Sequence, residues 1–555
     1  MTDKPPAEII YRPGRPPADG GRPEHGYRVV HDQGMVIERD VAITLRDGVK
    51  LFADVYRPEG NDEPLPALFE WGPYGKNFPA YEIYARFPGC GVKLEWLNKD
   101  YVVFEGPDPT WWCPRGYAIV NVDPRGTWYS EGKATYWDQT QEAHDCYDAI
   151  EWAGTQPWSN GKVGMTGVSY LAGIQWFVGA LAPPHLAAIN PWEGVSDMYR
   201  EYFLHGGIPD TFFPQHWQEN VSFSTTEVED TIAMTREHPL FDSYWETKAA
   251  QLSKVAVPAY VVASWTDHAL HTRGTLEGFK QLASEQKWLE IHGRKKWEYY
   301  HQPASVEKQM RFFDHFLKGV DNDVTSWPKV LLEIREQAYV GEWHEEKEWP
   351  LARTDYQPLY LDAGSGSLGR SPVDAEAEVR YDSTAAGARA VFDHRFDEDT
   401  DLVGYLKLKL WVEAVGADDM DLFVGIQRLD GDGNVVPYPF YAALDDGNVA
   451  LGWLRASHRE LDTERSTPAQ PWHTHRREEK LEPGVPVPVE IEIWPTGTRF
   501  LAGDTLRVIV QGRDIYDYPE SVIISRHEDT RNAGEHVIHT GGKFDSHLLI
   551  PVLPR

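Results

Sequence analysis

The sequence of 555 residues predicts an α/β domain, interrupted by a helical insertion and followed by an all-β domain. Up to about residue 320, short apolar runs alternate with segments of helical periodicity, which is typical of a mostly parallel sheet covered on both faces. Beyond that point, apolar runs are separated by Gly, Pro and Asp clusters, which is typical of a β-sandwich or jelly roll. After Pro191, aromatic and apolar residues at helical spacing predict a helical cap over the strand ends.

These patterns divide the chain into four parts. Residues 1–34 are predicted to form an N-terminal arm, because residues 1–26 are rich in Pro and Gly. Residues 35–191 and 256–320 form the α/β core, and residues 192–255 form the cap. Residues 321–555 form the C-terminal β-sandwich, for which we expect a jelly roll.

The elements of the core follow in order from local patterns. VAITLRDGVKLFADVYRP alternates apolar and polar residues around an Asp-Gly pair, which predicts a hairpin. Leu65–Trp71 and Tyr117–Val122 are predicted to be buried strands, and Glu142–Trp152 a helix. KVGMTGV, LAAINP, VPAYVVASW and KWLEIHG predict further strands. A last helix is predicted to begin near Pro303 and to stop at Gly319.

The composition excludes several classes of protein. With 41% hydrophobic and 25% charged residues, the chain is too apolar for a disordered protein and too polar for a membrane bundle. Lys and Arg number 54 against 86 Asp and Glu, a formal net charge of −32. A field of this sign repels phosphate backbones and anionic headgroups, so we expect no nucleic acid and no membrane as a partner. The excess indicates solubility or salt tolerance, or else attraction of cationic substrates.

Cysteine usage and the N-terminus indicate the compartment. The three cysteines are widely spaced without a C-x-x-C pair, which predicts buried free thiols rather than a disulfide framework or a zinc site. The N-terminus lacks the apolar run of a signal peptide, and no later stretch reaches the roughly 18 apolar residues of a membrane span. We therefore expect a cytoplasmic protein, and the sequence leaves a homo-oligomer open.

Ser169 is the candidate nucleophile. It stands where the predicted strand KVGMTGV meets a helical segment, and a Gly-x-Ser sequence at such a junction lifts the serine hydroxyl above the sheet. The positive end of the following helix favours the charge that develops during attack. The pattern departs from G-x-S-x-G because Leu171 occupies the last position. The alternative is a serine that caps an ordinary helix.

A nucleophilic serine needs a base and an oriented acid. In doubly wound hydrolases they follow in the order Ser, acid, His. Asp267 follows VPAYVVASWT directly, and His292 ends WLEIHG. His301 competes for the role of base, because it lies in the same connection and nearer the next helix.

A metal site at this place is the competing interpretation. His268 and His271 could be grouped with Asp267 as metal ligands. There is no H-E-x-x-H, however, and no third ligand at an obvious spacing. We therefore predict neither a metal nor any other cofactor.

Several longer segments resemble a known family. DPRGTWYSEG, QPWSNGKVGMTGVSY, ASWTDHALHTRGTLEGF, FFDHFLKG, GWLRASHREL and KFDSHLLIPVLP are similar to serine hydrolases of the CocE/NonD type. That family groups cocaine esterase with X-Pro dipeptidyl peptidase, α-amino-acid ester hydrolase and glutaryl-cephalosporanic acid acylase. The resemblance runs from the first hairpin to the final strand. It implies an α/β-hydrolase core, a helical cap and a jelly roll packed against the core.

The resemblance also implies roles for the triad residues. Ser169 matches the nucleophile of the family's G-x-S-Y, and Asp267 matches the acid after W-x-D. In cocaine esterase the base follows a G-P-W-x-H stretch that is absent here. A subgroup with H-G-x-x-K-W in this place favours His292 over His301.

The resemblance implies an oxyanion hole as well. Its donors would be the main-chain N–H of Tyr170 and the hydroxyl of Tyr74, which lies in the N-P-Y-type loop of the family. For Tyr74 the alternative is an aromatic residue that only packs at the rim.

The predicted function is hydrolysis of an ester, or an amide, of a small acyl substrate through an acyl-enzyme intermediate. An X-Pro dipeptidyl-peptidase-like or α-amino-acid ester hydrolase or acylase activity is the alternative. It would need carboxylates near the acyl pocket to hold an ammonium group, and Glu193, Asp197 and Glu201 are candidates, unless they are only solvated or capping residues. The alternative from another class is a non-catalytic protein whose jelly roll binds carbohydrate or a partner.

Overall fold

A largely parallel sheet organises the first part of the molecule. The computed structural model describes residues 7–555, so the start of the predicted arm lies outside the described residues. From one edge to the other, the strands are Arg28–Asp32, Met35–Thr44, Lys50–Pro58, Ala118–Asp123, Leu65–Trp71, Ser159–Val168, Leu186–Trp192, Ala259–Ser264, Lys287–His292, Val330–Gln337 and Val340–Glu346. The strands from Ala118–Asp123 to Val330–Gln337 run parallel, and those outside them pair antiparallel.

Helices cover both faces of this sheet, as the alternation of strands and helices predicts. The α-helices are Ala80–Arg86, Pro109–Trp112, Glu142–Gly154, Tyr170–Gly179, Phe213–Val221, Thr231–Glu237, Ser243–Thr247, Thr272–Gln281, Lys296–His301 and Pro303–Lys318. In the strand Ala259–Ser264, Val261 packs into the apolar core on one face, and its neighbours Tyr260 and Val262 pack into the core on the other. This strand is buried at every position because both faces are covered.

The predicted elements of the core are confirmed with small shifts of their ends. A further hairpin precedes the predicted one, because Arg28–Asp32 pairs with the start of Met35–Thr44. The turn consists of Gln33 and Gly34, both at positive φ, as a two-residue hairpin loop requires. A strand therefore lies inside the segment predicted as an arm. The limits of the four predicted parts stay predictions.

The segment between Leu186–Trp192 and Ala259–Ser264 contains short helices, as predicted for the cap. It begins with the π-helical turn Tyr199–Phe203 and contains the helix Phe213–Val221. Trp217 of that helix is stacked on Trp137, with ring centroids 4.5 Å apart. The insertion thus packs on loops at the carboxyl ends of the parallel strands.

The C-terminal part is all-β, as predicted. Its strands are Asp355–Asp362, Ser367–Gly369, Ala377–Asp382, Arg389–Arg395, Thr400–Val415, Asp421–Leu429, Tyr438–Phe440, Leu444–Gly447, Ala450–Arg455, Val487–Phe500, Thr505–Gln511, Glu535–Thr540 and His547–Leu553. The long strand Thr400–Val415 pairs antiparallel with Val487–Phe500 and with His547–Leu553. These strands enclose an apolar core of their own. The jelly-roll arrangement stays a prediction.

The cysteines are free and buried, as their spacing predicts. Cys90, Cys113 and Cys146 are all buried and unpaired. No helix within residues 7–555 is long and apolar enough to cross a membrane.

Candidate active site

Ser169 lies at a sharp turn between the strand Ser159–Val168 and the helix Tyr170–Gly179. Its φ of 60° and ψ of −114° are strained for a residue with a side chain. Its N–H lies 3.1 Å from the carbonyl oxygens of both Trp192 and Glu193, which fixes the turn to the next strand. Gly167 leaves the space that the turn needs, because a Cβ there would lie 2.5 Å from the Cβ of Leu171. The predicted strand-turn-helix geometry is therefore present.

His271 is the imidazole that contacts the Ser169 hydroxyl. Its Nε2 lies 3.0 Å from Ser169 Oγ, and its Nδ1 lies 2.5 Å from Asp267 Oδ2. All three side chains follow the carboxyl ends of two parallel strands, Ser159–Val168 and Ala259–Ser264, which lie on either side of Leu186–Trp192. Active sites of open α/β sheets form at this end of the strands. The structure thus brings Ser169 and Asp267 together through a histidine that sequence analysis had grouped with potential metal ligands.

The expectation that His292 contacts Ser169 is wrong. The strand Lys287–His292 ends with this ring buried, and its Nδ1 accepts a hydrogen bond of 3.1 Å from the N–H of Arg294. Its Nε2 lies 3.2 Å from Glu193 Oε1. Tyr299 covers the ring, with centroids 3.9 Å apart. His292 therefore packs at the carboxyl end of its strand, beside the site.

The alternative base, His301, is also placed elsewhere. It ends the helix Lys296–His301, and its Nε2 lies 3.1 Å from the hydroxyl of Tyr84. Burial lowers the pKa of His301 to about 3. A ring in this position packs with Tyr84 rather than with the nucleophile.

Contacts from the all-β part hold the loop that carries Asp267 and His271. We call residues 265–271 the acid–base loop. The backbone N–H of Tyr441 donates to Thr266 O at 3.1 Å, and that of Leu451 donates to His268 Nδ1 at 3.1 Å. The Ser525 hydroxyl donates to the carbonyl oxygen of Ala269 at 3.0 Å. His268 therefore has a structural partner, and no group of acidic, His or Cys side chains within residues 7–555 has the arrangement of a metal site.

Lys296 contacts Asp267 and lies beside His271. Its Nζ donates to Asp267 Oδ2 at 2.8 Å and lies 3.2 Å from His271 Nδ1. Burial alone would raise the pKa of Asp267, but Lys296 and then His271 outweigh it, so the pKa is lowered and the carboxylate stays ionised. Burial, and next Lys296, lower the pKa of His271.

Tyr74 reaches the nucleophile from the loop after Leu65–Trp71. Its hydroxyl lies among the side chains of Trp217, Ser169 and Glu105. Burial, followed by Glu105, raises the pKa of Tyr74 well above its ordinary value, so the phenol keeps a proton that it can donate. The N–H of Tyr170 belongs to the first turn of its helix, whose amides have no acceptor within the helix. Both predicted oxyanion donors thus lie at the nucleophile.

Glu105 is a residue of the site that sequence analysis missed. Its carboxylate accepts a hydrogen bond of 2.8 Å from Trp297 Nε1. Its backbone has a φ of 66°, and its carbonyl accepts from the N–H of Val168, next to the nucleophile. Burial raises the pKa of Glu105 to about 8. No motif surrounds this residue, so no signal in the sequence could have singled it out.

The three carboxylates predicted as candidate ammonium ligands are already engaged inside the protein. Each is buried and has a partner at hydrogen-bond distance. The partners are the hydroxyl of Ser264 at 2.6 Å for Glu193, Arg200 at 2.6 Å for Asp197 and Arg273 at 2.8 Å for Glu201. Burial raises the pKa of Glu201 to about 7 even beside Arg273. These contacts give no support to an ammonium pocket formed by the three residues.

Two family models match the chain. Residues 47–231 match the X-Pro dipeptidyl-peptidase (S15 family), and residues 322–549 match the X-Pro dipeptidyl-peptidase C-terminal non-catalytic domain. The first match assigns a hydrolase-like domain to the N-terminal part, and the second agrees with the all-β part. Neither match includes Asp267 or His271.

Known proteins match nearly the whole chain. The solved structure of a CocE/NonD family hydrolase from Staphylococcus aureus is 42% identical, covers 96% of this chain and 98% of its own, and superposes with a TM-score of 0.92. Cocaine esterase from Rhodococcus sp. (strain MB1 Bresler) is 25% identical over 94% of this chain and 100% of its own length. The structure of an α-amino acid ester hydrolase shares the fold, with 17% identity, coverage of 96% and 98%, and a TM-score of 0.70.

Fold, nucleophile turn and relatives agree on the class of protein. The chain is a serine hydrolase that acts on ester or peptide bonds. It belongs to the CocE/NonD hydrolase family.

Proposed function

We propose that Ser169, His271 and Asp267 form the catalytic triad of an esterase. The observation that carries this proposal is the continuous contact from Ser169 Oγ through both nitrogens of His271 to Asp267 Oδ2, over distances of 3.0 and 2.5 Å. A base within hydrogen-bond reach of the nucleophile and an acid that orients the base are what acyl transfer by serine requires.

The reaction follows from this geometry. Ser169 Oγ attacks the acyl carbon while His271 Nε2 accepts the hydroxyl proton, and Asp267 holds the Nδ1–H of the ring. The Tyr170 N–H and the Tyr74 hydroxyl donate to the oxyanion. His271 then gives its proton to the leaving alcohol, and the acyl group stays on Ser169. A water molecule, deprotonated by His271, releases the acid and restores the serine.

The finer fold assignment is part of the proposal. A nucleophile after Ser159–Val168 and an acid after Ala259–Ser264 support an α/β-hydrolase core, with the short helices between them as its cap. Antiparallel strands around a separate apolar core support a jelly roll in the C-terminal part.

Two observations favour an ester over an amide with a free amine. The match to cocaine esterase extends over 94% of this chain. The carboxylates Glu193, Asp197 and Glu201 are held by internal partners rather than left for an ammonium group. We therefore propose an uncharged small-molecule ester as the substrate. The buried unpaired thiols support a cytoplasmic location, and a homo-oligomer stays a prediction.

Ser169→Ala tests the nucleophile. The variant should lower kcat/KM for a p-nitrophenyl ester by about 10⁴-fold or more, because the residual rate comes only from binding and the oxyanion hole. Turnover close to that of the native protein would contradict the proposal.

A comparison of acetyl, aminoacyl and X-Pro chromogenic substrates tests the substrate class. We expect the acetyl ester to be turned over with the highest kcat/KM. Preference for a substrate with a free α-amine would contradict the ester assignment and support the peptidase-like alternative.

A further inference from the structure

A fourth residue, Lys296, contacts the proposed triad with a charged group that acyl transfer by a triad does not require. Lys296 is only 5% exposed, and its Nζ lies within 2.8 Å of Asp267 Oδ2 and 3.2 Å of His271 Nδ1. Asp267 Oδ1 has no hydrogen-bond partner within residues 7–555, so ammonium and imidazole share one carboxylate oxygen.

This arrangement changes the field at the base. In a triad the carboxylate stabilises the imidazolium ion. Here a fixed positive charge lies on the same oxygen and 3.2 Å from the ring nitrogen, so it opposes a second positive charge on the ring. A buried ammonium group is weakly screened by solvent, which preserves its effect.

The charged groups that face His271 come from three elements. Asp267 lies on the acid–base loop itself, Lys296 on the helix Lys296–His301, and Glu193 after the strand Leu186–Trp192. Asp267 and Glu193 favour the imidazolium, whereas Lys296 and the burial of the ring disfavour it. Lys296 is the only cation among these groups within the described residues.

We infer, resting on the proposed function, that Lys296 is a positioning residue of the acid–base pair. Its ammonium group holds the Asp267 carboxylate and opposes protonation of His271, so the base stays neutral and able to accept the Ser169 proton in acidic solution. The helix Lys296–His301 also carries Trp297, which holds Glu105 on the oxyanion side. One short helix therefore contacts both the acid–base pair and the residue beside the proposed oxyanion donors.

The test is the pH dependence of labelling by a fluorophosphonate probe. Labelling needs the neutral base and Ser169 but no bound ester, so the acid limb of the second-order rate constant reports His271 in the free protein. Lys296→Met removes the charge and keeps the length of the side chain. We expect the midpoint of its acid limb to rise by about one pH unit. One unit below the native midpoint, labelling should fall roughly ten-fold relative to the native protein.

Three further variants separate charge from structure. Lys296→Arg keeps the charge and should keep the midpoint near the native value. Lys296→Gln keeps a donor for Asp267 without the charge and should shift the limb as Lys296→Met does. Lys295→Met is the matched control, because this equally buried neighbour points to Asp445 and the Gly89 carbonyl. Its midpoint should be unchanged.

The outcomes distinguish this inference from the proposed function. Slower labelling at every pH with an unmoved midpoint in both Lys296→Met and Lys296→Gln would show a purely structural lysine and overturn the inference. An equal shift in Lys295→Met would overturn it as well. Labelling of Ser169→Ala at the native rate would instead refute the proposed triad, whatever the Lys296 variants do.

Discussion

The nucleophile turn and the acid–base loop meet at one hydrogen bond but are held by different parts of the chain. Ser169 is fixed by its own strand and helix, by Gly167 beside it and by the backbone of the next strand. The acid–base loop accepts hydrogen bonds from Tyr441, Leu451 and Ser525, which lie more than 150 residues further along the chain. Local geometry thus shapes the turn at Ser169, the proposed nucleophile, whereas tertiary contacts hold the loop of His271, the proposed base.

The all-β part therefore contributes to the position of the acid–base loop. Arg335 donates to the carbonyl oxygen of Trp265 and to the hydroxyls of Thr496 and Thr498, so it ties the start of the acid–base loop to the C-terminal strands. Gly497 lies so close to the Trp265 ring that a Cβ there would come within 2.7 Å of it. A domain whose family model is named non-catalytic therefore supports the position of the base.

The largest effect is expected on the acid–base side. Asp267→Asn should lower kcat/KM by about 10³–10⁴-fold, because an amide stabilises the wrong tautomer of His271. Steady-state kinetics on a p-nitrophenyl ester measure the loss. Asp445→Asn, which changes a carboxylate paired with Lys295, is the control and should keep native rates. Equal losses in both variants would contradict the assignment of Asp267.

Removal of an oxyanion donor should have the next largest effect. Tyr74→Phe is expected to lower kcat by about 10²–10³-fold with little change in KM, because the lost hydrogen bond forms only in the transition state. Tyr129→Phe removes a hydroxyl that donates to the carbonyl of Arg22 and should leave kcat unchanged. A rise in KM alone for Tyr74→Phe would show a residue that only binds substrate.

A remote glycine tests the link between the two domains. Gly497→Ala places a Cβ 2.7 Å from the Trp265 ring, which must move and disturb the acid–base loop. We expect kcat/KM to fall about ten-fold, since small misplacements of catalytic groups cost up to 100-fold. Gly431→Ala, on the same domain with open space around it, should have no effect. An unchanged Gly497→Ala would mean that the loop does not depend on the C-terminal strands.

The smallest effect on activity is expected at His301. His301→Gln should keep kcat/KM within about two-fold, because the ring contacts the hydroxyl of Tyr84 and not that of Ser169. Burial lowers the pKa of His301 to about 3, below the ordinary value of 6.5, so between these two values only the unfolded chain takes up the proton and the folded protein loses stability as pH falls. The free energy of unfolding of the variant should therefore decline less steeply between pH 6 and 4, by about 1.4 kcal/mol per pH unit. An identical decline would contradict a neutral, buried His301.

The sequence was sufficient to predict those elements that depend on residues close together in the chain. The strands of the core, the helix Pro303–Lys318 and the turn at Ser169 follow from periodicity and glycine placement. Asp267 followed from its place after a buried strand. The strand Arg28–Asp32 was missed because Gln-Gly is a weaker turn signal than Asn-Gly or Asp-Gly.

The base could not be chosen from the sequence because its placement depends on distant residues. His271 follows one strand of the sheet and His292 ends another, and only the ring of His271 lies at the Ser169 hydroxyl. The four-residue spacing of Asp267 and His271 was a usable signal, since one turn of backbone brings such side chains together. Sequence analysis considered these two residues together only as metal ligands, an interpretation that it rejected, and did not consider them as an acid–base pair. No pattern in the sequence around Glu105 indicates that this residue belongs to the site.

The rate of fluorophosphonate labelling of His271→Ala against His292→Ala, both checked for native circular dichroism, tests most directly which imidazole activates Ser169. We predict that His271→Ala loses labelling by about 10³-fold or more, as general-base removal requires, and that His292→Ala stays within about ten-fold of the native rate. The reverse order would contradict the central claim.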